Sequence, residues 1–195
     1  MKKNKIILIG AGGHAVSCID VIEKTKKFKI EGLIDNSKKN HLLVGEKKYK
    51  IFNENLFKKS GAVKYAVICL GSENFTKKRR ELFIKYKSLG YSFPKIISPL
   101  SYVSNSSTVG EGSIIMHGVI INANVKIGKN CIINTKSIIE HDCNIGSNSH
   151  IATSVVMNGH VSVKENCFIG SNSTIIPNAI IKKNSFIKAN SLIKK

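Results

Sequence analysis

From Val103 to the end of the chain an aliphatic side chain recurs at every sixth position: Val103, Val109, Ile115, Ile121, Ile127, Ile133, Ile139, Ile145, Ile151, Met157, Val163, Ile169, Ile175, Ile181, Ile187 and Ile193. With roughly one residue in three aliphatic, this run without a miss has a chance on the order of 10⁻⁸. Four residues after each, the side chain is small, as at Ser107, Val119, Cys131, Ser149 and Ala179. The residue directly after it is often Gly, Asn or Ala, as at Gly110, Asn122, Gly128 and Ala152. A period of six fits neither an α-helix nor a hairpin. It predicts a triangular prism with one short strand per face, the aliphatic residue pointing in and the small one turned inward near the corner. Three hexads close one turn, so residues 103–192 make about five coils.

The first half follows another pattern. Lys5 to Ile9 is a short aliphatic run closed by Gly10, which predicts a buried parallel strand. Val16, Ile19, Val21 and Ile22 then fall at helical spacing. Further strands are predicted over Lys29 to Ile34, over Tyr65 to Leu70 and near Phe93 to Ile97, and a basic amphipathic helix over Lys77 to Ser88. Alternating strand and helix signals imply a small parallel α/β sheet. The boundary is placed at Ser98-Pro99, giving domains of residues 1–97 and 98–195. The stretch from Ser37 to Ala62 carries no clear period.

Composition narrows the partners. The chain has 195 residues, with 31 Lys+Arg against 12 Asp+Glu for a formal charge of +19, yet 42% of it is hydrophobic, which excludes a disordered basic tail. Lysines are spread throughout, aromatics make up 7%, Trp is absent, and no helix-turn-helix, RNP or zinc-finger spacing occurs. The expectation is therefore no nucleic-acid partner. Part of the charge has a use in attracting phosphorylated small molecules. No apolar run approaches the length of a membrane span, and the run after Lys5 is too short for a signal peptide, so no membrane insertion and a cytoplasmic location are expected. Five cysteines without a CxxC read as reduced thiols packed as small hydrophobes.

Two places carry candidate chemistry. Gly10-Ala11-Gly12-Gly13-His14-Ala15 follows a strand and opens a helix, with Asp35 downstream at the end of the next strand. Glycines there let backbone N–H groups approach a phosphate, and the helix N-terminus favours its charge. A dinucleotide dehydrogenase would need more chain than the 97 residues available, so one nucleotide's diphosphate fits better, beside the plain reading of a structural turn. On the prism, His141 is preceded by Glu140 and followed by Asp142, and His160 lies about one coil further on. A histidine with an adjacent carboxylate is the minimal general base. His117 reads as an inert surface histidine. Two histidines could also hold a metal, but no spaced Cys or Glu ligand set accompanies them, so no metal is expected.

The segments Gly10-Ala11-Gly12-Gly13-His14, Ile34-Asp35-Asn36, Leu70-Gly71-Ser72-Glu73-Asn74 and Ile138 to Gly146 together resemble the PglD/NeuD-type acyltransferases of sugar-nucleotide pathways, over nearly the whole chain. The resemblance implies an α/β N-terminal Rossmann-like domain for the nucleotide sugar. It also implies an all-β left-handed parallel β-helix of hexapeptide repeats for acetyl-CoA. A homotrimer with active sites between protomers is implied as well. The general base falls on His141 and its acid on Asp142, where PglD-type enzymes have Glu. Nucleotide-sugar contacts fall on Gly12, Gly13, His14, Asp35, Asn36 and Gly71. Acetyl-CoA contacts fall on Asn134, His150, Gly159, Ser171 and Ala189. The chain departs from the pattern with Asn36 in place of a second acid and Ala189 in place of Gly, and it stops at Lys195 without the usual ending.

The resemblance thus implies N-acetylation of a UDP- or dTDP-linked 4-amino-4,6-dideoxy sugar for a surface glycan. Its alternatives are O-acetylation of a sialic acid, and a non-catalytic β-helix scaffold that only binds nucleotide sugar.

Overall fold

The computed structural model describes residues 3–54, 63–71 and 76–194. An N-terminal sheet has the order β3-β4-β2-β1-β5, built from β1 (Asn4–Ile9), β2 (Phe28–Ile34), β3 (His41–Val44), β4 (Lys47–Phe52) and β5 (Tyr65–Ile68). All pairs are parallel except β3 with β4. Helix α1 (Gly13–Thr25) follows β1 directly and buries Ala15, Cys18, Ile19, Val21 and Ile22. Its first turn has no side-chain cap, so its amides face the pocket described below. Helix α2 (Thr76–Ser88) covers the other face of the sheet through Leu82, Phe83 and Tyr86. The unassigned stretch after Ser37 contains the β3–β4 hairpin, turned at Gly45 with φ +58°; its last residues, 55–62, lie outside the described ones.

The second half is a parallel β-helix whose three faces are sheets of six, five and six two-residue strands. Each strand is one outward residue followed by the aliphatic hexad residue, and each pairs with the strand 18 residues on, as Ile138↔Val156 and Ile139↔Met157. Ser113, Val119, Val125, Cys131, Ser137 and Ser149, among the small residues of the pattern, are all buried at the corners. Gly128 and Gly146 are required by the stacking, since a Cβ on either would lie 2.6 Å from the backbone of the next coil.

The prism begins one strand earlier than the hexad pattern suggested. Ile96–Ile97 pairs with Ile114–Ile115, so the strand expected to close the α/β sheet is the first rung of the β-helix. Its backbone bonds go to the prism, Ile96 N donating to Ser113 O and Ser98 N to Ile115 O at 3.0 Å each, which decides its membership.

A further regularity governs the corners. Asn124, Asn130, Asp142, Asn148, His160, Asn166 and Asn178 all have φ near +60°. This left-handed conformation is adopted most readily by Asn and Asp, whose short polar side chains bond locally. Along one edge these residues form a ladder, with each amide Nδ2 donating to the next Oδ1: Asn130 to Asn148 at 3.0 Å, Asn148 to Asn166 at 3.3 Å and Asn166 to Asn184 at 3.0 Å.

The two halves are docked through the first prism face, where Ile96, Ile114 and Ile132 share one core with Cys18, Ile19 and Ile22 of α1. His117, expected to be inert, bridges them: Nδ1 lies 2.6 Å from Ser98 Oγ and Nε2 3.0 Å from Asp20 Oδ2. Arg79 is the other link. It is 3% exposed and donates from Nε to Asn130 O (3.2 Å), from Nη1 to Ile68 O and Leu70 O (3.3 Å), and from Nη2 to Gly112 O (3.4 Å). Burial lowers its pKa, and no carboxylate pairs with it among the described residues.

Candidate active site

The glycine turn and the ends of β2 and β5 enclose a cavity of about 570 Å³. Gly12, Gly13, His14, Asp35, Asn36 and Gly71, the expected nucleotide-sugar residues, all line it. Ser72, Glu73 and Asn74 of the same motif lie outside the described residues. Asp35 is committed to the backbone: Oδ2 accepts from Ala11 N at 2.8 Å and Oδ1 from Ser37 N at 2.7 Å. The carboxylate thereby fixes the glycine turn in the shape that exposes its amides. Asn36 Nδ2 donates to Glu54 Oε2 at 3.1 Å, bringing to the cavity wall an acid the sequence reading missed. Gly71 is glycine because a Cβ would strike the His14 ring. His14 Nε2 is buried with no hydrogen-bond partner, so the cavity carries one polar atom unsatisfied by protein.

On the prism, His141 and Asp142 follow the strand Ile138–Ile139 at the corner after the second face. His141 Nδ1 donates to Asp142 Oδ2 at 2.8 Å. A carboxylate only accepts, so Nδ1 carries the proton and Nε2 presents its lone pair. The bond from His141, then that from Asn124 Nδ2 at 3.2 Å, hold Asp142 below the usual carboxylate range. Glu140 is not a rival partner for His141, because its Oε2 accepts from Asn122 Nδ2 at 2.9 Å, one coil below.

Directly above His141 in the stack is Gly159, not His160, and a Cβ at Gly159 would lie 2.6 Å from the His141 ring. The hexad register of the sequence contained this signal, since the two positions are one coil apart. Gly159 therefore gives the imidazole its space. His160 stands above Asp142, with its ring edge-on to His141 at a centroid distance of 5.1 Å.

The remaining expected residues divide into two groups. Asn134 and His150 are together, Nδ2 to Nε2 at 3.4 Å, while Ser171 and Ala189 are exposed one coil apart on the edge before the second face. The second face separates this edge from that of His141 and Gly159. His150 is 4% exposed, edge-on to Phe168, with its ring centroid 6.4 Å from that of His14. It thus lies between the cavity and the prism rather than beside His141. Burial first, then the positive fields of His14 and Arg79, push its pKa down to about 3. Cys143 follows the dyad but points inward, and burial raises its thiol to about 11, which leaves it a poor nucleophile.

The His150 shift fixes the sign of a pH effect. The imidazole stays neutral in the fold while the unfolded chain binds a proton below about 6.5, so stability falls as pH drops from there toward 3. Between pH 6.5 and 4.5 this amounts to about 2–3 kcal/mol. Urea midpoints of the wild type and His150→Gln should diverge from each other over that interval, with the variant losing less. Parallel acid limbs would show that His150 is not the group responsible.

Prism, corner histidine and nucleotide-type cavity define a hexapeptide-repeat transferase with an added small-molecule domain. Comparison with known proteins matches separate parts of the chain to three family models. Residues 5–84 match the PglD N-terminal domain, residues 137–157 the hexapeptide repeat of succinyl-transferase, and residues 160–195 the bacterial transferase hexapeptide. The chain thus joins a segment similar to the PglD N-terminal domain to two segments similar to transferase hexapeptide repeats.

Among solved structures, a histidine variant of perosamine N-acetyltransferase from Caulobacter crescentus, in complex with CoA and GDP-perosamine, is 26% identical. Its TM-score is 0.89 over 98% of this chain and 89% of that one. The acetyltransferase domain of PglB from Neisseria gonorrhoeae, in complex with acetyl coenzyme A, shares the fold at 21% identity, TM-score 0.88, over 98% and 93%. WeeI from Acinetobacter baumannii does so at 22% identity, TM-score 0.84, over 97% and 91%. No helix among the described residues is long and apolar enough to cross a membrane.

Proposed function

We propose that the protein transfers the acetyl group of acetyl-CoA to the amine of a nucleotide-linked 4-amino-4,6-dideoxy sugar, with His141 as general base. The observation that carries this is the His141–Asp142 pair, with its Nδ1–H···Oδ2 bond of 2.8 Å and its Nε2 next to Gly159, 2.7 Å from where a Cβ would lie. The cavity of the N-terminal domain takes the nucleoside diphosphate on the amides of the glycine turn. The sugar nitrogen attacks the thioester carbon and a C–N bond forms. The carbonyl oxygen becomes an oxyanion, stabilised by the Gly159 amide, a contribution of about 3 kcal/mol. His141 Nε2 takes the proton from the nitrogen. Collapse breaks the C–S bond, and the same proton goes to the departing CoA thiolate. Asp142 holds the ring and stabilises the imidazolium. Asn134, Ser171 and Ala189 contact acetyl-CoA at the other edge of the second face, which a neighbouring protomer would bring to His141, while buried His150 only backs Asn134.

The base was expected to be uridine or thymidine, whereas the 26% identical relative was crystallised with a guanosine sugar nucleotide. The test is acetyl transfer from acetyl-CoA to UDP-, dTDP- and GDP-linked 4-amino sugars and to sialic acid. Transfer to a nucleotide-linked amine is expected. Transfer to sialic acid alone, or to none of the four, overturns the reading in favour of O-acetylation or of a binding scaffold.

Because Asp35 shapes the turn rather than touching the reacting atoms, Asp35→Ala is expected to raise the KM for the sugar nucleotide by about tenfold, with the acetyl-CoA KM nearly unchanged. Steady-state kinetics with each substrate varied in turn checks this, and the reverse split would place the nucleotide elsewhere.

The second prism face supports a trimeric assembly. Its outward column is Tyr102, Ile120, Ile138, Val156, Thr174 and Leu192, with Tyr102 59% and Leu192 56% exposed. The corresponding column of the third face carries Thr108, Lys126, Asn144 and Ser162, with one apolar residue, Ile180, at its end. An exposed apolar face of this extent is covered by another protein surface. A homotrimer would cover it and close the corner of His141 against a neighbour. Sedimentation should give a trimer at micromolar concentration, and Ile138→Asp should shift it toward monomer. A monomeric wild type would count decisively against this arrangement.

A further inference from the structure

His160 has no part in the mechanism above, yet it is fixed beside it. Its Nε2 lies 3.8 Å from Asp142 Oδ2, the oxygen that accepts from His141 Nδ1 at 2.8 Å. One ligand atom from each of the three side chains falls within 4.8 Å of the others. We propose that His141, Asp142 and His160 bind a divalent transition-metal ion of the zinc type, and that the ion inhibits the enzyme by capturing its general base.

Two imidazoles and a carboxylate are a donor set suited to such ions. Ligand atoms about 2.0–2.1 Å from a tetrahedral ion are about 3.3 Å from one another. The two contacts to Oδ2 bracket that spacing and the two histidine nitrogens lie within 4.8 Å of each other, so side-chain rotation alone can bring the three atoms into place. The backbone needs no change. Asp142 and His160 both sit at left-handed corners, with φ of +60° and +61°, and His160 N donates to His141 O at 3.0 Å, which fixes their spacing. Asn124 Nδ2 holds Asp142 Oδ1, so the other oxygen remains directed at the two histidines. All three side chains are exposed on the single chain, at the corner that in the assembly must still admit the substrate amine.

Capture disables the base through either ring nitrogen. An ion on Nε2 occupies the lone pair directly. An ion on Nδ1 displaces the proton shared with Asp142, and the neutral ring then carries its proton on Nε2, where the substrate amine needs an acceptor. The inhibition rests on the acetyltransferase reading; the binding does not.

The test uses chelator-stripped full-length protein and zinc chloride. Calorimetry is expected to show saturable binding of one ion per chain at micromolar zinc, weakened about tenfold or more by His160→Gln and by Asp142→Asn. His117→Gln, which alters the other His–Asp pair, should leave it unchanged. In the acetyl-transfer assay, the zinc concentration that halves activity should rise about tenfold or more in His160→Gln relative to that variant's own zinc-free rate, and a chelator should restore the wild type. Binding unaffected by His160→Gln, or no saturable binding below about 100 µM, overturns the proposal. Zinc binding in a protein without acetyltransferase activity would overturn the functional reading alone.

Discussion

His141→Ala is expected to lower kcat for acetyl transfer by about 10²–10⁴-fold, with the KM for both substrates changed little. The substitution removes the acceptor of the amine proton while leaving the cavity and the prism core untouched, because His141 lies at an exposed corner with its backbone fixed by the stack. Asp142→Asn should cost less, since the ring keeps its Gly159 space and an amide oxygen can still accept from Nδ1, but the charge that stabilises the imidazolium is lost. Stopped-flow or steady-state release of CoA thiol measures both. A His141→Ala variant that kept more than about a tenth of the wild-type rate would remove the general base from the mechanism.

Arg79→Met should destabilise the protein by about 3 kcal/mol or more, read as a shift of the urea midpoint. Four carbonyl oxygens, two at the end of β5 and two at prism corners, converge on one guanidinium, and three of these bonds are buried. Relief of a desolvated charge offsets part of the loss, but the unsatisfied acceptors cost about 1–3 kcal/mol each. Arg79→Lys should rescue little, because an ammonium lacks the planar fork that spans both domains. Two of the four acceptors lie at the end of β5, next to Gly71 on the cavity wall, so the surviving fraction should also show a raised sugar-nucleotide KM. A midpoint unchanged within about 0.5 kcal/mol would mean that the halves are docked by apolar contacts alone.

The sequence alone determined everything that depends on local repetition. A strict period of six has one compact solution, so the coil, its inward aliphatic residues and its buried small corners follow without tertiary information. The strand, glycine turn and helix opening at Gly10 are equally local, as is the adjacency of His141 and Asp142. The corner asparagines and the pairing of Gly159 with His141 were also present in the register, as residues three and four of each hexad, though the reading did not extract them. Tertiary structure decided the rest. In the β3–β4 hairpin Lys48, Tyr49, Lys50 and Ile51 do alternate exposed and buried, but the run is four residues long and its partner β3 is an exposed edge strand, too short a signal to stand out without its neighbours. Ile96–Ile97 is aliphatic enough for either domain, and only the available neighbour assigned it to the prism. The burial of His150 against His14, and the convergence on Arg79 of carbonyls from residues 68 to 130, join segments distant in sequence. Pairwise contact at such separation leaves no periodic trace, because each partner also satisfies the local pattern of its own half.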